Sequence, residues 1–154
     1  MKPLRTYWHK LKAQMLKEPL PPEDVAAGWA LGMFIGCAIP FGLQLVVSIP
    51  LAMMMRVSKI GATLGTFVTN PATILVVYPL QTWVMYNLLF GSRDLSELPT
   101  EWSFHSVVSM SGPVIISFFL GGLALALILS PIVYFVVKHI VIRARRKWQR
   151  KNSI

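Results

Sequence analysis

Long apolar runs broken by prolines and glycines occupy most of the chain. The first, residues 25–55, contains no charged side chain and is interrupted at Pro40. A straight helix of this length would reach about 46 Å, whereas a bilayer core is roughly 30 Å thick and two full crossings need about 40 residues. The run therefore predicts two half-length helices that meet in a turn over Pro40 and Gly42 and leave the membrane on the side where they entered.

A second broken run covers residues 60–79, where Asn70 and Pro71 interrupt an apolar segment that carries threonines at helical spacing. Proline removes a backbone donor, and inside a bilayer the freed carbonyl needs protein or a water-filled cavity as its partner. We therefore expect Pro71 to be a helix break and the segment to line a polar interior. The polar side chains predicted to line it are Thr66, Thr69, Asn70 and Thr73.

Two later runs, residues 72–90 and 113–137, are each long enough for one crossing. Gln81 in the first of them is expected to form a hydrogen bond between helices. The loop at 92–102 carries few cations, which favours the outer side and makes the second helix a return crossing. The predicted fold class is an all-α integral membrane protein that combines broken, re-entrant half-helices with about two full transmembrane helices.

Two short stretches share a pattern at a constant offset of 33 residues. GWALGMF at 28–34 is followed by GATLGTF at 61–67, and each copy reaches a proline a few residues later. We treat an internal repeat as a hypothesis, since repeated, broken membrane helices are a recurring way to build a transport site near the bilayer midplane. Glycines four residues apart, from Gly28 to Gly36, also predict a helix face that another backbone approaches closely.

The distribution of charge gives the boundaries of the membrane unit. A chain of 154 residues that is 55% hydrophobic and 14% charged has room for a few membrane segments but for no second domain. Its net charge of +9 collects at the ends. We predict a basic amphipathic interfacial helix and a Pro-rich hinge over residues 1–24, a single membrane domain over 25–138, and a basic cytoplasmic tail over 139–154. Anionic lipids are the expected partners of both ends, and nucleic acid is not.

Arg56 and Lys59 follow the first broken run. They lie three residues apart and share a face if the turn between them is helical. One interpretation is a topology signal that marks a return to the cytoplasmic side. The other is a clamp for a phosphate group, since arginine offers a two-pronged donor and lysine a point charge. Both interpretations stay open.

Candidate catalytic chemistry is scarce in the apolar segments. They contain no pair of nucleophile and base and no cluster of metal ligands, so we predict no enzymatic activity, no cofactor and no metal site. Cys37 is the single cysteine, and its apolar neighbours favour a buried thiol.

The segments PEDVAAGWALGMFIGCAIPFGLQ and RVSKIGATLGTFVTNPAT resemble the bacterial membrane family catalogued as domain of unknown function 2062, with similarity over about residues 18–91. In that family's pattern an asparagine stands where this chain has Ser58. Some relatives are fused to glycosyltransferase domains, so the resemblance implies a setting of lipid-linked sugars or polyprenyl phosphates. The broken helices are similar in general character to DedA-type lipid transporters.

Two functions stay open at this point. The first is a small transporter or flippase for an anionic lipid or a lipid-linked substrate, which acts as a homodimer because the chain is short. The second is a non-transporting scaffold for an envelope enzyme such as a glycosyltransferase. The resemblance and the basic ends together predict a multi-pass protein of the bacterial cytoplasmic (inner) membrane with both termini in the cytoplasm.

Overall fold

The structure is a computed structural model that describes residues 19–67, 69, 71–91, 105 and 112–152. Its described part is helical and contains no strand, which confirms the all-α prediction. The helices are α1 (Pro22–Ala38), α2 (Gln44–Met54), α3 (Lys59–Thr66), α4 (Pro71–Phe90) and α5 (Gly112–Asn152). The predicted interfacial helix within residues 1–24 and the side chain of Asn70 lie outside the described residues.

The turn between α1 and α2 follows from its proline and its glycine. Ile39, the residue before Pro40, is extended, with φ −114° and ψ 135°, because a following proline disfavours the helical conformation. Gly42 has φ +103°, a conformation that L side chains rarely adopt. The chain reverses here, and Ala52 near the end of α2 returns to pack beside Ala27 of α1.

The turn between α2 and α3 is not helical. Arg56 has φ +57°, and Ser58 is the N-cap of α3, its hydroxyl accepting a hydrogen bond from the Gly61 N–H at 2.8 Å. Serine and asparagine are both preferred N-cap residues, so Ser58 keeps the cap that the family's asparagine would supply. Because the turn is not helical, Arg56 and Lys59 do not share a helical face, although both are exposed.

Helices α1 and α3 lie side by side and run in the same direction. Three glycines of α1 face successive residues of the second segment, and the pairs are Gly28 with Ser58, Gly32 with Ala62 and Gly65, and Gly36 with Thr66 and Thr69. A Cβ built on Gly32 would meet the carbonyl oxygen of Ala62. The predicted close approach of two backbones along this glycine face is therefore observed.

Helix α5 runs antiparallel to α1 and parallel to α4. Going down α5, Gly122 faces the Cys37 carbonyl near the end of α1, whereas Lys138 pairs with Glu23 at its start. Against α4 the order is the same in both helices, from the contact of Tyr78 with Phe118 to that of Gln81 with Gly121. The prediction that α5 returns antiparallel to α4 is wrong. Hydropathy gives the length of a span but not its direction, which depends on the connection at 92–111.

Two helices in the described part of the chain are long and apolar enough to cross a membrane. They are Thr73–Phe90 of α4 and Gly112–Arg150 of α5. At 41 residues, α5 is about 60 Å long and continues without interruption through the basic segment that begins after residue 138. The structure thus agrees with the prediction of about two helices long enough to cross a membrane.

Candidate functional site

A buried polar network surrounds the end of α1, and no sequence motif predicted it. The Gln44 amide Nε2 donates to the carbonyls of Gly36 and Ile39, at 3.0 and 3.1 Å, and lies 2.7 Å from the Tyr78 hydroxyl. The Tyr78 hydroxyl donates to the same two carbonyls, at 3.1 and 2.9 Å. The last carbonyls of a helix have no partner within it, and Pro40 offers no N–H. Gln44 and Tyr78 supply the missing donors and join α1, α2 and α4.

The threonines predicted to line a polar interior lie at the neighbouring break between α3 and α4. The Thr66 hydroxyl donates to the Thr63 carbonyl at 2.7 Å, and the Thr69 hydroxyl donates to the Thr66 carbonyl at 2.9 Å. Thr66 and Thr69 are buried, and Thr73 in the first turn of α4 is half-buried. The hydroxyls of Thr66 and Thr69 thus donate to backbone carbonyls at the end of α3. Helix α3 ends at Thr66 and helix α4 begins at Pro71.

Beside this break lies a cavity of about 530 Å³ between α1, α4 and α5. Its walls are mainly apolar; Thr69, Thr73 and Gln81 are the polar residues among the described lining residues, and Cys37 also lines it. We call this cavity the α4/α5 groove. The Gln81 Nε2 lies 3.4 Å from the Cys37 carbonyl, so Gln81 forms the predicted hydrogen bond between helices, although a long one.

The predicted cationic pair is far from the threonines. The Ser58 N–H donates to the Asp24 carbonyl at 3.1 Å, which places the turn holding Arg56 at the start of α1. Thr69, in contrast, faces Gly36. Twelve helical residues separate Asp24 from Gly36 and correspond to about 18 Å. One phosphate group therefore cannot contact both sets of side chains.

The start of α1 is tied to the basic half of α5. Lys138 Nζ lies 3.1 Å from a Glu23 carboxylate oxygen, and Arg145 Nη1 donates to the Leu20 carbonyl at 2.8 Å. The pKa of Glu23 is lowered from its ordinary value, first by a hydrogen bond from its own backbone N–H and then by Lys138. These contacts place the beginning of α1 and the basic end of α5 at the same end of the molecule. Among the described residues, no three of the types His, Cys, Asp and Glu form a group that could hold a metal ion.

Comparison with known proteins gives a family and no nearer relative. No curated protein and no solved structure matches the sequence. The sequence model of a family described as uncharacterised proteins conserved in bacteria, DUF2062, matches residues 4–151. The match extends beyond residues 18–91 and takes in the whole described helical assembly. The chain therefore belongs to the bacterial DUF2062 family.

Proposed function

We propose that this protein is a small transporter or flippase of the bacterial inner membrane that moves an anionic lipid or a lipid-linked substrate. The observation that carries the proposal is the position of the α4/α5 groove. It lies along the two candidate membrane spans, and its walls include Thr69 and Thr73 beside the helix break. Polar side chains at a helix break inside a membrane are expensive to keep and commonly mark a route for polar groups.

The proposal includes an internal repeat of two hairpins, α1–α2 and α3–α4. A Cβ built on Gly28 would meet the Ser58 carbonyl, and one built on Gly61 would lie 3.0 Å from the Val25 carbonyl. Adding 33 to the number of the glycine, and subtracting 33 from the number of its partner, converts the first contact into the second. The next pair obeys the same rule, with Gly32 against the Ala62 carbonyl and Gly65 against the Trp29 carbonyl. Such pairing is what an approximate two-fold axis parallel to α1 and α3 would produce.

The first hairpin is proposed to be re-entrant. Helix α1 has 17 residues and a length of about 26 Å, somewhat less than a core of roughly 30 Å. Its end faces Gly122, which lies 16 residues, or about 24 Å, before Lys138 along α5. Helix α2 then returns to the end of the molecule where α1 begins. A multi-pass protein of this kind would hold the tip of the first hairpin inside the bilayer.

The base of the hairpins is proposed to face the cytoplasm. Arg56, Lys59 and the basic end of α5 lie at that end, and cationic flanks are typical of cytoplasmic ends. Both termini would then be cytoplasmic, and anionic lipid would gather around them. In this arrangement Arg56 and Lys59 attract an anionic headgroup first, and Thr66, Thr69, Asn70 and Thr73 meet it deeper in the membrane. A homodimer would help to enclose the route.

A lipid-scrambling experiment tests the proposal. The purified protein is placed in liposomes that contain a fluorescent anionic phospholipid, and a membrane-impermeant reductant reports how much label reaches the outer leaflet. We expect scrambling by the natural sequence, strong loss in Asn70→Ala, and partial loss in the double variant Arg56→Gln, Lys59→Gln. Leu123→Ala, a change at an exposed apolar position of α5, is the control.

Absence of scrambling by the folded natural protein, across anionic phospholipids and a polyprenyl phosphate, would overturn the transport proposal. Unchanged scrambling in Asn70→Ala would remove that residue from the route. The first result would favour a scaffold that orients an envelope enzyme such as a glycosyltransferase, because the helix breaks would then serve packing alone. Neither function requires catalysis by this chain, and we propose none.

A further inference from the structure

The α4/α5 groove exists because the two hairpins close differently. In the first hairpin, α2 packs along α3. Its counterpart in the second hairpin, α4, packs along α5 instead and has little contact with α1. The space between the end of α1 and residues 73–85 of α4 is therefore lined by α5 from Gly121 to Leu129. It lies along both candidate spans, so hydrocarbon is its natural surrounding.

The rim of the groove is apolar. Val76, Leu80, Val84 and Ile128 line it and are also exposed on the outside of the helices, with Val76 64% exposed. Among the residues that the structure describes, no charged side chain lines it. The chain of a lipid already in the bilayer needs only to move sideways to enter such an opening. The volume of about 530 Å³ is within the range of small-molecule sites.

Gln81, a residue of the groove wall, carries a polar atom without a partner among the described residues. Gln81 is only 6% exposed, and within the described part of the chain its Oε1 accepts no hydrogen bond. Its Nε2 points to the Cys37 carbonyl, which needs a donor, so the orientation of the amide leaves the oxygen as the free acceptor. Buried acceptors without a partner are rare and costly. An alkyl chain alone would not satisfy this oxygen, but a chain carrying a hydroxyl or an amide N–H would.

We propose that the α4/α5 groove is a lateral binding site for a lipid hydrocarbon chain that carries a hydrogen-bond donor, either a hydroxyl or an amide N–H, and that Gln81 Oε1 accepts this hydrogen bond. The inference builds on the proposed function and names the class of lipid that enters the site. Lipids whose chains are joined only through esters have no such donor. The groove would therefore select amide-linked or hydroxylated chains over plain ones.

Binding is tested on the whole protein in detergent with two photoactivatable probes of equal chain length, a 3-hydroxy fatty acid and the corresponding plain fatty acid. We expect the hydroxylated probe to bind about 3- to 10-fold more tightly, which corresponds to one net hydrogen bond. In Gln81→Leu the two probes should bind equally, at the affinity of the plain probe. Crosslinked peptides should come from α4 and α5.

A second pair of variants tests whether the probes bind in the groove itself. Ala124→Trp places a large side chain on the groove wall and should abolish crosslinking by both probes, whereas Leu123→Trp, at the adjacent exposed position outside the groove, should not. Equal binding of the two probes to the natural sequence would overturn the proposal. So would a preference that survives Gln81→Leu, or failure of both probes to bind while residues 1–18 or 92–111 crosslink into the groove. Binding is measured without liposomes, so a failure of scrambling alone leaves this result intact.

Discussion

The two hairpins begin alike and end differently. Both start with a glycine-rich helix, and these helices, α1 and α3, pack against each other in parallel. The tip of the first hairpin is closed by Gln44 and Tyr78, and α2 then returns against α3. The second hairpin returns through α4, which packs against α5 and leaves a groove. A shared starting pattern thus ends in a closed tip in the first pair of helices and beside an open groove in the second.

The largest expected effect comes from breaking the contact that the two hairpins share. Gly32→Ala places a Cβ against the Ala62 carbonyl, and Gly65→Ala places one against the Trp29 carbonyl. Both clashes are with backbone, so neither can be relieved by rotating a side chain. We expect each variant to lose about 3 kcal/mol or more of stability, with a matching fall in membrane abundance. The measurement is thermal unfolding followed by tryptophan fluorescence.

Gly112→Ala is the control for this pair, because no atom of the described residues, apart from its chain neighbours and its own helix backbone, lies within 4 Å of a Cβ built there. If Gly32→Ala and Gly65→Ala were as stable as Gly112→Ala, the parallel packing of α1 and α3 would be wrong. A large loss in only one of the two would contradict the equivalence of the hairpins.

The second-largest effect is expected at the tip of the first hairpin. Gln44→Leu removes both amide donors from the carbonyls at the end of α1, whereas Tyr78→Phe removes one hydroxyl donor and leaves the amide in place. We expect a loss of about 1–3 kcal/mol for Gln44→Leu and a smaller loss for Tyr78→Phe. Lipid scrambling per folded molecule should stay close to that of the natural sequence in Tyr78→Phe. Equal stability of both variants and the natural protein would show that the first tip does not depend on this network.

A smaller effect is expected at the second tip. Thr69→Val removes the hydroxyl that donates to the Thr66 carbonyl and keeps the shape of the side chain. The stability loss should be about 0.5–1.5 kcal/mol. The rate of lipid scrambling should fall by more than the loss of folded protein accounts for, because Thr69 lies on the groove. Scrambling that simply follows the amount of folded protein would assign Thr69 to structure alone.

The smallest effect concerns the base of the first hairpin. The pKa of Glu23 is lowered in the folded protein, so its stabilising contribution is present above the unfolded pKa and is lost as pH falls through the lower folded value. The facing groups on α5 are Lys138 and Arg145. Glu23→Gln should therefore unfold at a slightly lower temperature than the natural protein near neutral pH and at the same temperature in strong acid. A difference that persists in acid would contradict an ionic origin.

The positions of the turns and the identity of the long helices could be predicted because they depend on local chemistry. Pro40 and Gly42 interrupt a helix wherever they occur together, and Pro71 begins α4 for a similar reason. The face of Gly28 and Gly32 could be predicted because glycines at helical spacing leave no side chain between two backbones.

The polar network could not be predicted, because its partners are distant in sequence. Gln44 and Tyr78 bind carbonyls of residues 36 and 39, and nothing in the local pattern marks a carbonyl as unpaired until the helix end is known. The direction of α4 relative to α5 could not be predicted either, since the hydropathy of an apolar helix is the same in both directions. The separation of Arg56 from Thr69 follows from the parallel packing of α1 and α3, which the glycine face allows but does not specify.

The most direct test of whether the second hairpin lines the route is to measure which introduced cysteines are accessible to water. Each of two variants carries Cys37→Ser together with one new cysteine, at Thr73 on the α4/α5 groove or at Ser48, which is fully buried in α2. A membrane-impermeant thiol reagent is applied to intact cells and to opened membranes. The account predicts labelling of Thr73→Cys from at least one side and no labelling of Ser48→Cys. Absence of labelling at Thr73→Cys in a folded, abundant protein, or equal labelling at both positions, would contradict it.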